Sequence, residues 1–160
     1  MHSLDQFFVA LSHIGNAGLV WLIVAALAAL LWRRPSIFLF VVSGYLLAGW
    51  ASYALRQVIG RERPPHRFTE PPPLVHVPVS DSFPSGHAAT SFACAALLAW
   101  LTPLPKVPLF VLAALIAYSR VYVGVHYPLD VLGGAALGLA VATALRLLAE
   151  ARRRSDPAPQ

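Results

Sequence analysis

Five apolar blocks, at about residues 16–32, 36–57, 86–102, 107–124 and 129–148, decide what this chain can become. Each reaches the roughly 17–25 residues that a helix needs to cross a hydrocarbon core of about 30 Å. In lipid, backbone N–H and C=O groups must pair within the segment, so blocks of this kind fold as helices. The expected class is all-α, an integral membrane helical bundle of about five transmembrane helices. Composition agrees: 58% of the 160 residues are hydrophobic and 12% charged, where a soluble domain carries about 25% charged residues.

Ahead of the first block, Leu4, Phe7, Phe8 and Leu11 recur at helical spacing before SHIGNAG breaks the pattern. This predicts a short N-terminal interfacial helix, with a frayed extension of the first span as the alternative. MHSLDQFF lacks the basic region of a cleavable signal, so the first span is expected to stay in the mature protein. Cys94 is the single cysteine and reads as a small buried hydrophobe, with no intramolecular disulfide. One membrane-embedded domain is expected over 1–150, followed by a disordered basic tail over 151–160.

The net charge of +5 does not point to nucleic acid, because the basic residues form no basic face with interleaved aromatics. They mark topology instead. With five spans, Arg33, Arg34, Lys106, Arg146 and Arg152, Arg153 and Arg154 fall on one side, which the positive-inside rule makes cytoplasmic. Trp32 and Trp100 fall near that interface. The other side mixes Arg56, Arg61, Arg63, Arg67 and Arg120 with Asp5, Glu62, Glu70, Asp81 and Asp130. The expected location is the inner (plasma) membrane, multi-pass, with the mixed-charge loops facing the periplasm or exterior. The one long loop, 58–85, holds half of the 14 prolines and should be extended, a lid or wall over a site.

Three clusters on that mixed-charge face carry chemistry. Arg56 and Arg63 lie at the exit of the second block; guanidinium forks pair with phosphate oxygens and stay charged at neutral pH. In FPSGHAATSF, Ser85 is placed as an N-cap and Gly86 permits close backbone approach. The first helical turn would offer N–H groups to an anion, with His87 beside it as a proton donor or acceptor. In SRVYVGVHYPLD, Arg120 ends the fourth block, Pro128 favours a helix start, and His126 and Asp130 stand four residues apart. A carboxylate-held imidazole keeps one nitrogen free to act as nucleophile or base; a buried structural ion pair would give the same spacing. Together the clusters form a phosphate-transfer constellation.

In order and spacing these segments resemble the signature motifs of the type-2 phosphatidic acid phosphatase superfamily, the membrane lipid phosphate phosphatases. The chain has Arg56, six residues, Arg63-Pro64; then Pro84-Ser85-Gly86-His87; then Ser119-Arg120, five residues, His126, three residues, Asp130. One position departs from the pattern, since Arg56 stands where the family usually has Lys; Arg61 or Arg67 could share its task. The resemblance implies catalysis by His126 as nucleophile forming a phosphohistidine, Asp130 as its orienting carboxylate and His87 as general acid. It implies phosphate binding by Arg56, Arg63, Ser85, Gly86 and Arg120, with no metal and no cofactor. The partners it implies are a lipid phosphate substrate and the surrounding membrane lipids. An outward-facing site suits undecaprenyl pyrophosphate, ahead of phosphatidylglycerol phosphate and phosphatidic acid.

Two other classes are weighed. A non-hydrolytic lipid-phosphate binder or transporter needs only the basic groups, not His87 with the His126–Asp130 pair. A soluble vanadate-dependent haloperoxidase shares the anion cradle but not five membrane-length blocks. His13 is read as interfacial, and His66 and His76 as loop residues without a partner at catalytic spacing. Gly133, Gly134 and Gly138 suggest close helix packing.

Overall fold

The computed structural model describes residues 3–15, 18–68 and 70–155, which form seven helices and no strand. They are α1 (Ser3–Ile14), α2 (Leu19–Leu31), α3 (Pro35–Ile59), the single turn α4 (Pro64–Arg67), α5 (Gly86–Leu101), α6 (Lys106–Tyr122) and α7 (Pro128–Ser155). The five expected blocks thus correspond to α2, α3, α5, α6 and α7. Prolines open α3 and α7 at the first helical position, where a missing N–H is harmless.

α3 and α7 are each long and apolar enough to cross a membrane. α2, α5 and α6 have 13, 16 and 17 residues, a rise of roughly 20–26 Å. Helix length alone therefore supports two crossings, fewer than the expected five. The first block is the most shortened: Gly18 takes a left-handed φ of 62°, which interrupts the helix. Residues 16 and 17 lie outside the described residues.

α5 is the centre of the bundle, packed against α3, α6 and α7. Its run of Ala88, Ala89, Thr90, Ser91, Ala93, Cys94 and Ala95 is buried almost all round, as a helix enclosed by others requires. Small side chains let α7 approach closely. A Cβ on Gly138 would lie 2.2 Å from the Ala89 carbonyl oxygen, and one on Gly134 2.4 Å from that of Ser85, so the glycine pattern does mark helix packing. Trp21, Ile37, Val41, Leu97, Leu98 and Ile116 complete the core, and the buried Trp21 indole N–H donates to Ser91 Oγ at 3.1 Å. Outside this core, Leu27, Leu30, Leu39, Leu46, Leu132 and Leu147 are each more than half exposed. In water such a skin would aggregate; against acyl chains it is an ordinary surface.

α1 does form, and it docks on α6. Phe8 stacks on Tyr122 at 4.2 Å between ring centroids, Tyr122 donates to Asp5 at 3.0 Å, and Arg120 donates to Ser12 Oγ. At the other end of the chain, α7 continues to Ser155, supported by the Arg146–Glu150 ion pair at 2.8 Å. Residues 156–160 of the expected tail lie outside the described residues. Arg146 also stacks over Trp100, 5.7 Å from its ring centre.

Candidate active site

The end of α3, the start of α5, the end of α6 and the start of α7 meet at one end of the bundle, and this brings all three sequence clusters together. Loop 60–85 is pinned across them: Ser82 N–H donates to the Arg61 carbonyl at 2.8 Å and Leu74 N–H to that of Val123 at 3.1 Å.

His126 lies in the short turn before α7 and is 4% exposed. Its Nδ1 is 3.4 Å from Asp130 Oδ2, as the four-residue spacing suggested. Asp130 is wholly buried, and its oxygens are satisfied by more than the imidazole. Oδ2 also accepts the Tyr127 N–H at 2.9 Å, and Oδ1 accepts Arg61 Nη1 at 3.0 Å. A buried carboxylate so paired stays ionised and fixed.

On the far side of the ring, Arg63 Nη1 stands 3.1 Å from His126 Nε2. A guanidinium can only donate, so Nε2 must carry the lone pair and Nδ1 the proton that faces Asp130. Burial pushes the imidazole down to about 4; the Asp130 hydrogen bond opposes this, while the Arg63 and Arg120 charges add to it. The ring is neutral at neutral pH, the state a nitrogen nucleophile requires.

Arg63 has no donor to spare. Its Nε–H goes to the Ser80 carbonyl at 2.6 Å, and Nη1 reaches the Val125 carbonyl at 2.9 Å as well as His126. Nη2 serves Ser80 Oγ at 3.3 Å and the Asp81 carbonyl at 3.2 Å. Burial and the Arg56 charge lower its pKa to about 10, which leaves it cationic at neutral pH. Sequence reasoning cast it as a phosphate ligand. Here it braces His126 and the loop, and only its hydrogen bond to Nε2 stands where a phosphoryl group would arrive.

The anion-facing groups are less occupied. Ser85 takes the N-cap position, yet its hydroxyl makes no cap bond; it is buried and unpartnered. Its carbonyl accepts the Ala89 N–H at 3.0 Å, so the earlier N–H groups of α5 are the orphan donors of a helix start. Arg56 is half-buried, anchored on the Ser52 carbonyl and Ser80 Oγ at 3.3 Å each. Its Nη2 lies 3.4 Å from where a Gly86 Cβ would project, which joins the first cluster to the second. Arg120 is 5% exposed, with Nη1 on Ser12 and a buried Nε that has no partner.

α1 supplies a wall that its sequence did not announce. Besides Arg120, Ser12 engages His87, which hydrogen-bonds to the Ser12 backbone. A Cβ on Gly15 would lie 3.0 Å from the His87 ring. A cavity of about 280 Å³ opens beside them, lined by Ser12, His13, Val75, His76, Pro78, His87 and Arg120. His13 and His76, set aside on sequence grounds, thus line the cavity, and the proline-rich loop forms part of its wall. Arg61, considered as a stand-in for Arg56, instead holds Asp130 and lies 4.3 Å over the Tyr127 ring. His66 and Arg67 are exposed on α4.

The model of the PAP2 superfamily matches residues 36–154. The chain belongs to the PAP2 superfamily. As a member it is a membrane lipid phosphatase, and its relatives carry several substrate names. It is 38% identical over 148 residues to the decaprenylphosphoryl-5-phosphoribose phosphatase of Mycobacterium tuberculosis, covering 91% of this chain and 80% of that one. It is 36% identical over 138 residues to an undecaprenyl-diphosphatase of Sulfolobus acidocaldarius, covering 85% and 66%. Among solved structures, a Bacillus subtilis phosphatidylglycerolphosphate phosphatase superposes with a TM-score of 0.77 at 26% identity, covering 98% and 81%. Aquifex aeolicus LpxE superposes at 0.78 with 29% identity, covering 92% and 88%.

Proposed function

We propose that this PAP2 phosphatase removes a terminal phosphate from a polyprenyl-linked headgroup, undecaprenyl pyrophosphate being the leading substrate. The observation that carries the mechanism is the setting of His126, with Nδ1 on Asp130 and Nε2 turned toward guanidinium charge. The Nε2 lone pair attacks phosphorus as the P–O bond to the lipid breaks, and His87 gives its proton to the departing oxygen. Water then attacks the phosphohistidine and passes a proton to His87 as the P–N bond breaks, releasing inorganic phosphate. Arg56, Arg120, Ser85 and the first N–H groups of α5 hold the phosphate oxygens and stabilise the charge that builds on them in the transition state. Arg63 joins them once Nε2 is phosphorylated. In this scheme guanidinium groups fill the role that a metal ion has elsewhere.

The proposed topology is a five-pass chain in the inner (plasma) membrane with the site facing outward. The grouping of Arg33, Arg34, Lys106 and Arg146 away from the site supports that orientation. A second reading, a decaprenylphosphoryl-5-phosphoribose phosphatase, is favoured by the match over 91% of the chain to the mycobacterial enzyme.

The test is phosphate release by purified protein in detergent with EDTA present, on undecaprenyl pyrophosphate and phosphatidic acid, for wild type and His126→Ala. The expected outcome is metal-independent release that falls by at least about 10⁴-fold in the variant. Release that survives the substitution removes His126 as nucleophile, and folded wild-type protein inert on both lipids overturns the substrate reading.

A further inference from the structure

We infer that the cavity beside His87 is a leaving-group subsite that binds a second phosphate, carried by the part of the lipid that departs. The inference rests on the phosphatase reading above and deepens it. A general acid must touch the bridging oxygen, so whatever lies beyond His87, away from the phosphoryl group on His126, belongs to the leaving group. The 280 Å³ cavity opens beside His87, and His126 is not among the described residues that line it. At about 30 Å³ per water in the liquid, it has room for roughly nine water-sized groups, more than the single bridging oxygen demands.

Its walls are chosen for an anion. Arg120 lies along it nine-tenths buried, with an Nε–H that no protein group accepts. His13 from α1 and His76 from the long loop stand at its exposed mouth, and an imidazole offers a ring N–H in either protonation state. No carboxylate is among the described residues that line it. Val75 and Pro78 provide an apolar margin where a hydrocarbon chain can begin.

Arg120 also meets the transferred phosphate of any substrate, but a leaving group without charge, such as the diacylglycerol of phosphatidic acid, gives the N–H groups of His13 and His76 no anion to meet. A polyprenyl phosphate leaving a diphosphate, or a polyprenylphosphoryl ribose leaving a phosphoribosyl lipid, brings the missing acceptor oxygens. Both share one chemistry, a second phosphate on the leaving side.

The test compares kcat/KM for farnesyl diphosphate, decaprenylphosphoryl-5-phosphoribose and dioleoyl phosphatidate in detergent, for wild type, His76→Ala, His13→Ala and the double variant. Inhibition by methylenediphosphonate against inorganic phosphate gives a second readout. The double variant should lose at least tenfold more kcat/KM on a two-phosphate lipid than on phosphatidate. Its inhibition constant for methylenediphosphonate should rise several-fold relative to that for phosphate. Whichever two-phosphate lipid loses more identifies the source of the second phosphate. His76→Gln, which restores an N–H donor, should recover part of the loss, and this separates binding from a folding defect. If wild type turns over all three lipids and the ratios stay within twofold in the double variant, the subsite is overturned while the phosphatase stands. If folded wild type turns over none of them, the underlying reading fails and takes this one with it.

Discussion

Asp130 and Arg120 are buried charges at the same end of the bundle, yet the protein treats them in opposite ways. Asp130 is met on every side, by His126, the Tyr127 N–H and Arg61. Across the ring, Arg63 is equally committed, all of its N–H groups directed at protein acceptors or at Nε2. Arg120, by contrast, keeps a buried Nε–H unanswered, and Ser85 a buried hydroxyl. One wall is finished before any ligand arrives, while the other is left for a ligand to complete. The nucleophile therefore needs little reorganisation at the moment of reaction. The donors that no protein group meets contribute binding energy when phosphate oxygens reach them.

The difference can be broken first at the finished wall. Asp130→Asn should lower kcat by about 10³–10⁴-fold, because an amide no longer fixes the Nδ1–H tautomer, and Arg61 loses its carboxylate. Single-turnover phosphate release measures this, and a fall below tenfold would show that the carboxylate is only structural. On the open side, His87→Gln should cost about 10²–10³-fold on a lipid substrate. The loss should shrink with p-nitrophenyl phosphate, whose leaving group needs no proton. Equal losses on both substrates would remove His87 from the acid role.

The smallest effect is a titration. His126 is neutral above about 4 and gains a proton as pH falls through that value. In ¹³C-histidine NMR one ring, assigned by its absence in His126→Ala, should titrate well below the usual 6.5. Arg63→Gln removes a neighbouring positive charge, so imidazolium becomes easier to form and the midpoint moves up. A midpoint unmoved in that variant would mean burial alone sets it.

Much of this was legible in the chain. The blocks gave α3, α5 and α6 to within two residues and the start of α7 to within one, since apolar runs and the helix-starting Pro128 are local signals, whereas α7 runs on from the expected end at 148 to Ser155. The three motifs named Arg56, Arg63, Arg120, His126 and Asp130, which the fold brings to one end of the bundle, and the glycine spacing marked the α5–α7 contact. What was missed shares a cause. Ser12 meets Arg120 and His87, Arg61 meets Asp130, and His13 faces the same cavity as His76. Each partnership joins segments some 60 to 110 residues apart, and no periodicity carries such information. An apolar stripe on α1 predicts a buried face but not that α6 will cover it.

The sequence by itself determined the helices, the membrane class and the family, because lipid forces helical pairing and phosphate transfer demands particular side chains in fixed order. Tertiary structure alone decided which of those side chains are finished and which wait. Arg56, Arg63 and Arg120 look alike in one dimension; only packing dictates that every N–H of Arg63 meets a protein acceptor while the Nε–H of Arg120 does not. Whether a donor is spent or free depends on the acceptors that the fold brings within about 3 Å of it, and that is a property of contacts across the chain.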